Sequence, residues 1–186
     1  MSRGRKTSPG LDVAGQSNWG IYVEPTPTIE ETPMDRDDLL RKLESLAQLD
    51  TDAVQVYSDA IGHVSDDDVL EAFKRFQEEH SYHAQQLSEM IVRLGSEKPR
   101  LAVDLMGRMA DWVTEFRSMT GTRGALRAMK TAEHYHNRHY GEAATWDVGD
   151  DEIATMLSRF DEDEKRHLAF VEERLAEHVA TGGGAK

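Results

Sequence analysis

The chain has 186 residues, enough for one domain with tails, and its 35 acidic against 22 basic side chains give a formal net charge of −13. That balance argues against naked nucleic acid and against an anionic membrane surface as partners. The lack of cysteine excludes disulfides, iron–sulfur clusters and thiolate metal sites, and no apolar run approaches the roughly 18 residues of a membrane span, so a soluble, cytoplasmic protein is expected.

Residues 1–34 read as a flexible N-terminal arm, rich in Gly, Ser, Pro and Thr and without periodicity. The basic start, Met1 to Lys6, is followed by no apolar signal region. Thr26-Pro27 and Thr32-Pro33 favour an extended chain. Trp19, Ile21, Tyr22 and Val23 form an apolar island in this arm, which leaves open a segment that docks on a partner or makes a homodimer contact.

A helical domain is expected over residues 35–180. Asp35 is a fitting N-cap for the first helix, whose stripe runs Leu39, Leu43, Leu46, Asp50, Ala53, Tyr57, Ala60, Val64. Ser65 can cap the second, whose stripe runs Val69, Phe73, Phe76, His80, His83, Leu87, Met90, Leu94 before Gly95 and Pro99 stop it. Residues 101–120 read as a helical crossover between helices two and three, with Leu101, Leu105, Met109, Trp112, Val113, Phe116 and Met119 as its apolar set. The next helix, capped by Thr122, carries Leu126, Met129, Glu133, His136, Tyr140 and Ala143 or Ala144. The last starts after Gly149-Asp150 and runs to about Val179 with Ile153, Leu157, Phe160, Glu164, His167, Val171 and Leu175 on one face. Thr181 to Lys186 read as a disordered C-terminal tail. The fold class is therefore all-α: a four-helix bundle with a helical crossover.

Each main helix has its apolar seam interrupted near mid-length by carboxylate or imidazole. The interruptions are Asp50; His80 and His83; Glu133 and His136; Glu164 and His167. In a bundle these positions converge at one depth, so seven candidate metal ligands surround one cavity. Buried charge has to be paired or bound, and mixed oxygen and nitrogen donors suit iron, manganese or zinc. His134, His139, His63 and His178 read as surface residues, and the methionines as packing.

Asp-Glu-Asp-Glu-Lys-Arg-His-Leu at 161–168 is similar to the fourth-helix motif of rubrerythrins and bacterioferritins, and Glu133 with Tyr140 resembles the Glu and Tyr pairing of that group. Asp50 and Tyr57 repeat the interval, which suggests internal two-fold symmetry. Over about residues 36–180 the chain resembles the ferritin-like superfamily, on its rubrerythrin-like side and among its small bacterial four-helix members. The resemblance implies two iron ions. One would lie on Asp50, His83 and His80, the other on Glu133 and His167, with Glu164 as bridge and Tyr57 and Tyr140 behind the ligand carboxylates. His136 has no counterpart in that pattern and reads as an extra ligand or a donor behind the ligands. The resemblance also implies oxygen or peroxide as co-substrates, with no catalytic residue separate from the ligands.

Two departures keep the chemistry open. Asp50 is one methylene shorter than the usual Glu, and His80 stands where the pattern has a bridging Glu. Three carboxylates and up to four histidines hold ferric ions less well, so three readings stand. They are an iron-handling oxidoreductase, a non-catalytic zinc- or manganese-binding stress or structural bundle, and a metal-free bundle with a polar register layer. No cysteine-liganded iron domain is present, and a ferritin cage is not expected.

Overall fold

Apolar residues spaced by three and four build four amphipathic helices, and the computed structural model, which describes residues 34–104 and 119–182, shows all of them. They are α1 (Arg36–Ile61), α2 (Asp67–Arg93), α3 (Gly121–Ala143) and α4 (Asp151–Gly182). No strand occurs among the described residues, and the fold is an all-α four-helix bundle. None of these helices is long and apolar enough to cross a membrane.

The caps are set by local chemistry. The Asp35 carboxylate accepts from the backbone N–H of Asp37 and Asp38 and starts α1 as the sequence suggests. At α2 the cap is Asp66, which accepts from Val69 N–H, and not Ser65. At α3 the N-cap position is Thr120, without a side-chain bond. Thr122 lies inside that helix, and its hydroxyl instead accepts from the backbone N–H of Ser65 and Asp66 at 3.0 and 3.2 Å, so it pins the α1–α2 turn to the start of α3. Asp150 accepts from Glu152 and Ile153 N–H at the head of α4. Gly95 and Gly149 take φ of 83° and 64°, which ends α2 and turns the chain into α4 without Cβ strain. α4 continues to Gly182, beyond the expected end at Val179.

The apolar core is divided in two. One cluster holds Val56, Tyr57, Phe73, Phe76, Leu126, Met129 and Val171. The other holds Leu43, Leu46, Leu87, Met90, Ile153, Leu157 and Phe160. Completely buried side chains such as Leu43, Leu87 and Leu126 each contribute about 1.5–3 kcal/mol by leaving water. Reading the two clusters along each helix fixes the directions: α1 and α4 run one way, α2 and α3 the other. α2 thus ends at the opposite end of the bundle from where α3 begins, and the chain from 94 to 120 has to travel its length. The crossover helix expected there falls largely on 105–118, outside the described residues, as does the N-terminal arm and its apolar island. Residues 183–186 of the tail are outside them too.

α1 packs chiefly on α2 and α3 chiefly on α4, while α1 with α3 and, more sparsely, α2 with α4 join the two hairpins. Asn137 on α3 donates from one amide to the carbonyl oxygens of Glu133 (3.1 Å) and Glu164 (2.7 Å), which fixes α3 against α4 at mid-height. Gln77 does the same for α2 and α1 through the Val54 carbonyl at 2.9 Å.

Candidate metal centre

Between the two apolar clusters lies a polar layer. All seven mid-helix candidates, Asp50, His80, His83, Glu133, His136, Glu164 and His167, are buried there, none more than 1% exposed. Six fall into two overlapping groups whose ligand atoms lie within 4.8 Å of one another. One group is Asp50, His80, His83 and Glu164; the other is His80, Glu133, Glu164 and His167. Glu164 belongs to both, and so does His80, which the resemblance places with the first group alone. His136 is in neither. Its Nδ1 donates to the Ala132 carbonyl at 2.9 Å and its ring stands beside that of His80, centroids 5.0 Å apart.

The distances inside the layer separate hydrogen bonds from looser contacts. His80 Nδ1 bonds Asp50 Oδ1 at 2.9 Å. Glu164 Oε1 faces His80 Nδ1 and His83 Nδ1 at 3.5 and 3.6 Å, and Glu164 Oε2 faces His167 Nδ1 at 3.9 Å. His83 Nδ1 stands 3.8 Å from Asp50 Oδ1, His167 Nδ1 3.8 Å from Glu133 Oε2, and His80 Nε2 3.9 Å from Glu133 Oε1. Both oxygens of Glu164, Glu133 Oε2, His80 Nε2 and the Nδ1 atoms of His83 and His167 are therefore buried without a hydrogen bond. Such orphaned atoms are costly. Donors about 2.1 Å from a shared ion lie roughly 3–3.5 Å apart, close to these separations, and the donor set suits a divalent metal. The buried groups fit a metal ion.

Electrostatics support that fit. Burial alone would push the Asp50 and Glu133 carboxyls up, but the imidazoles facing them outweigh it. Asp50 is held well below the carboxylate range by His80 and His83, and Glu133 is lowered to about 2 by His80 and His167. Burial would lower the histidines, yet the Glu164 and Asp50 carboxylates raise His80 well above its usual value. The bond to Asp163 and the nearby Asp50 and Glu164 carboxylates raise His83 to about 10. Without an ion, protons on imidazole supply the positive charge among the carboxylates.

Tyr57 and Tyr140 are buried against carboxylates of the layer. Tyr57 Oη donates to Glu133 Oε1 at 2.5 Å, and Tyr140 Oη donates to Asp50 Oδ2. Burial and those carboxylates raise both phenols, so they remain donors. Each tyrosine serves the carboxylate of the other hairpin. The same exchange holds for aromatic rings: Phe76 stacks on His167 (4.1 Å) and Phe160 on His83 (3.9 Å). In sequence Asp50, Tyr57, Phe76, Glu79, His80, His83 match Glu133, Tyr140, Phe160, Asp163, Glu164, His167 interval for interval within each helix. The hairpins are two copies of one plan, with His80 on one copy answering Glu164 on the other.

Sequence reasoning missed Glu79 and Asp163. Glu79, next to the α2 seam, accepts from His167 Nε2 at 2.5 Å, and Asp163 accepts from His83 Nε2 at 3.2 Å. Each lies four residues before a layer histidine, and that repeated interval was the available signal.

No curated protein and no solved structure matches the chain. Residues 38–145 match the family described as a domain of unknown function, DUF2383. The matched stretch carries Asp50, His80, His83, Glu133 and His136 and ends before α4 with Glu164 and His167. Because the match spans more than half of its length, the chain belongs to the DUF2383 family.

Proposed function

We propose that the protein is a metal-binding bundle of ferritin-like type that holds two divalent ions, iron first among them, in the layer between its two apolar clusters. The observation that carries this reading is the set of buried ligand atoms without hydrogen bonds, centred on Glu164. Asp50 and His83 would hold one ion and Glu133 and His167 the other, with Glu164 and His80 between them. Bound iron would supply one-electron oxidation from Fe(II) to Fe(III) by oxygen or peroxide. The chain's own part is to fix the ligand carboxylates through the Tyr57 and Tyr140 hydroxyls and to exclude water with Phe76, Phe160 and the leucines around them.

A second reading, non-catalytic binding of zinc or manganese, is favoured by His80. With imidazole where its counterpart is Glu164, the layer offers three carboxylates, and the lower negative charge suits a divalent ion that is not oxidised.

Elemental analysis of protein purified without added metal tests the shared claim. Bound metal in the wild type and its loss in Glu164→Ala and His167→Ala are expected; equal content in all three would refute the site. Aerobic Fe(II) addition then separates the readings, since a ferric absorbance that depends on Glu164 belongs to the first alone.

A further inference from the structure

On the face where α2 meets α4, Glu79 and Asp163 reach the layer from outside. Both are partly exposed, 27% and 24%, and both approach the outward nitrogen of a buried histidine on the other hairpin. Arg166, half exposed, spans them: one amine nitrogen lies 2.8 Å from Glu79 Oε2 and the other 2.6 Å from Asp163 Oδ1. We infer that Glu79 and Asp163 are positioning residues of the metal centre, each setting which ring nitrogen of the opposite hairpin's histidine faces the ion, and that Arg166 ties them into one strap. This inference rests on the metal-binding reading above.

The argument starts from the ring's symmetry. Phe76 lies against His167 at a tilt of 32° and Phe160 against His83 at 30°, with centroids 4.1 and 3.9 Å apart, so each histidine ring is confined near its plane. Stacking does not choose between a ring and the same ring turned over about its Cβ–Cγ bond, because both occupy one plane. Turning it over would take Nδ1 away from the layer. A carboxylate only accepts hydrogen bonds, so Nε2 must carry the proton it gives to Glu79 or Asp163. That bond leaves Nδ1 facing inward, where it stands 3.8 Å from Glu133 Oε2 in His167 and 3.8 Å from Asp50 Oδ1 in His83. It also makes the ring a better donor to a cation.

Arg166 adds what the two bonds lack. Glu79 and Asp163 sit on different helices, at the sparser of the two interfaces that join the hairpins. A guanidinium fork between them fixes their separation, and with it the offset between the two histidines. The position equivalent to Arg166 on the first hairpin is Tyr82, so the strap exists once.

The test uses Co²⁺ as probe and the full chain. Against wild type, Glu79→Ala and Asp163→Ala are expected to weaken Co²⁺ binding 10–100-fold, as loss of a hydrogen bond behind a ligand histidine does elsewhere. Glu79→Gln, which keeps an acceptor but not the charge, is expected to recover most of the affinity. Glu162→Gln, an exposed neighbour, changes net charge alone and is expected to bind as wild type. Proton NMR of the Co²⁺ form gives a readout that mere loss of stability would not move. The paramagnetically shifted ring N–H of His167 should exchange rapidly in Glu79→Ala while that of His83 stays slow, and Asp163→Ala should reverse the pattern. If an Ala variant does not fold, Glu79→Met and Asp163→Leu, which fill the space without offering an acceptor, carry the same exchange measurement. Wild-type affinity and slow exchange in every variant would overturn the inference and leave the metal site standing. An equal loss in Glu162→Gln would overturn it in favour of bulk charge. A wild-type protein that binds no Co²⁺ would overturn the metal reading itself.

Discussion

At the scale of single residues, the layer is a set of groups with opposed preferences. Carboxylates that burial would protonate are kept ionised, and imidazoles that burial would neutralise are kept charged. His83 shows the consequence for pH. Its value rises from 6.5 to about 10 in the folded chain, so between these values the folded state holds a proton that the unfolded state has lost. Stability from this group is complete below about pH 6.5 and is lost as pH climbs through about 10. Chelator-treated protein should therefore melt at progressively lower temperature from pH 7 to pH 10, with a shallower fall in His83→Leu. Metal affinity should rise over the same range, because a ligand nitrogen has to give up its proton first. The layer residues were legible in the sequence because a charged side chain at a seam position breaks an otherwise apolar rhythm. Glu79 and Asp163 were not: each stands one residue, about 100° of helix rotation, from a layer position, and its role depends on how α2 and α4 face each other. His136 was legible as buried, but its bond to the Ala132 carbonyl depends on a ring rotamer that spacing does not set.

At the scale of helices, seam spacing located all four. Cap chemistry was less legible, since Ser65, Asp66, Thr120 and Thr122 are all acceptable capping types and only tertiary contact distinguishes them. The Thr122 hydroxyl, 6% exposed, is engaged by two backbone N–H groups from the other hairpin. Thr122→Val keeps the shape and removes the acceptor from both. Its expected cost is about 0.5–1.5 kcal/mol, the usual net worth of a hydrogen bond whose partly exposed donors can turn to water, read from chemical denaturation. Thr122→Ser, which keeps the hydroxyl, should cost distinctly less.

For the whole molecule, a charged layer between two apolar clusters makes stability depend on what fills it. A cation that binds only the folded chain adds about 2.7 kcal/mol at a hundred times its dissociation constant. At about 2–4 °C per kcal/mol for a chain of this size, chelation of the metal-loaded protein should lower its melting temperature by roughly 5–10 °C. The same treatment of Glu164→Ala should leave the melting temperature unchanged, as scanning calorimetry would show. Sequence carried the bundle and its polar layer at this scale. The exchange of tyrosines, phenylalanines and outer carboxylates between the hairpins was not legible, because it depends on how the hairpins lie against each other.

That exchange also orders events during synthesis. The first hairpin carries Asp50, His80 and His83, yet their group lacks Glu164 until α4 is made, and Asp50 and His83 depend on Tyr140, Phe160 and Asp163 of the second hairpin. The second hairpin completes its own group only by borrowing His80, and relies on Tyr57, Phe76 and Glu79 for support. Because Glu164 belongs to both groups and lies on α4, neither can close before that helix has been made and docked. Until α4 docks, a nascent chain therefore holds Asp50, His80, His83 and Glu133 without the carboxylate that both groups share.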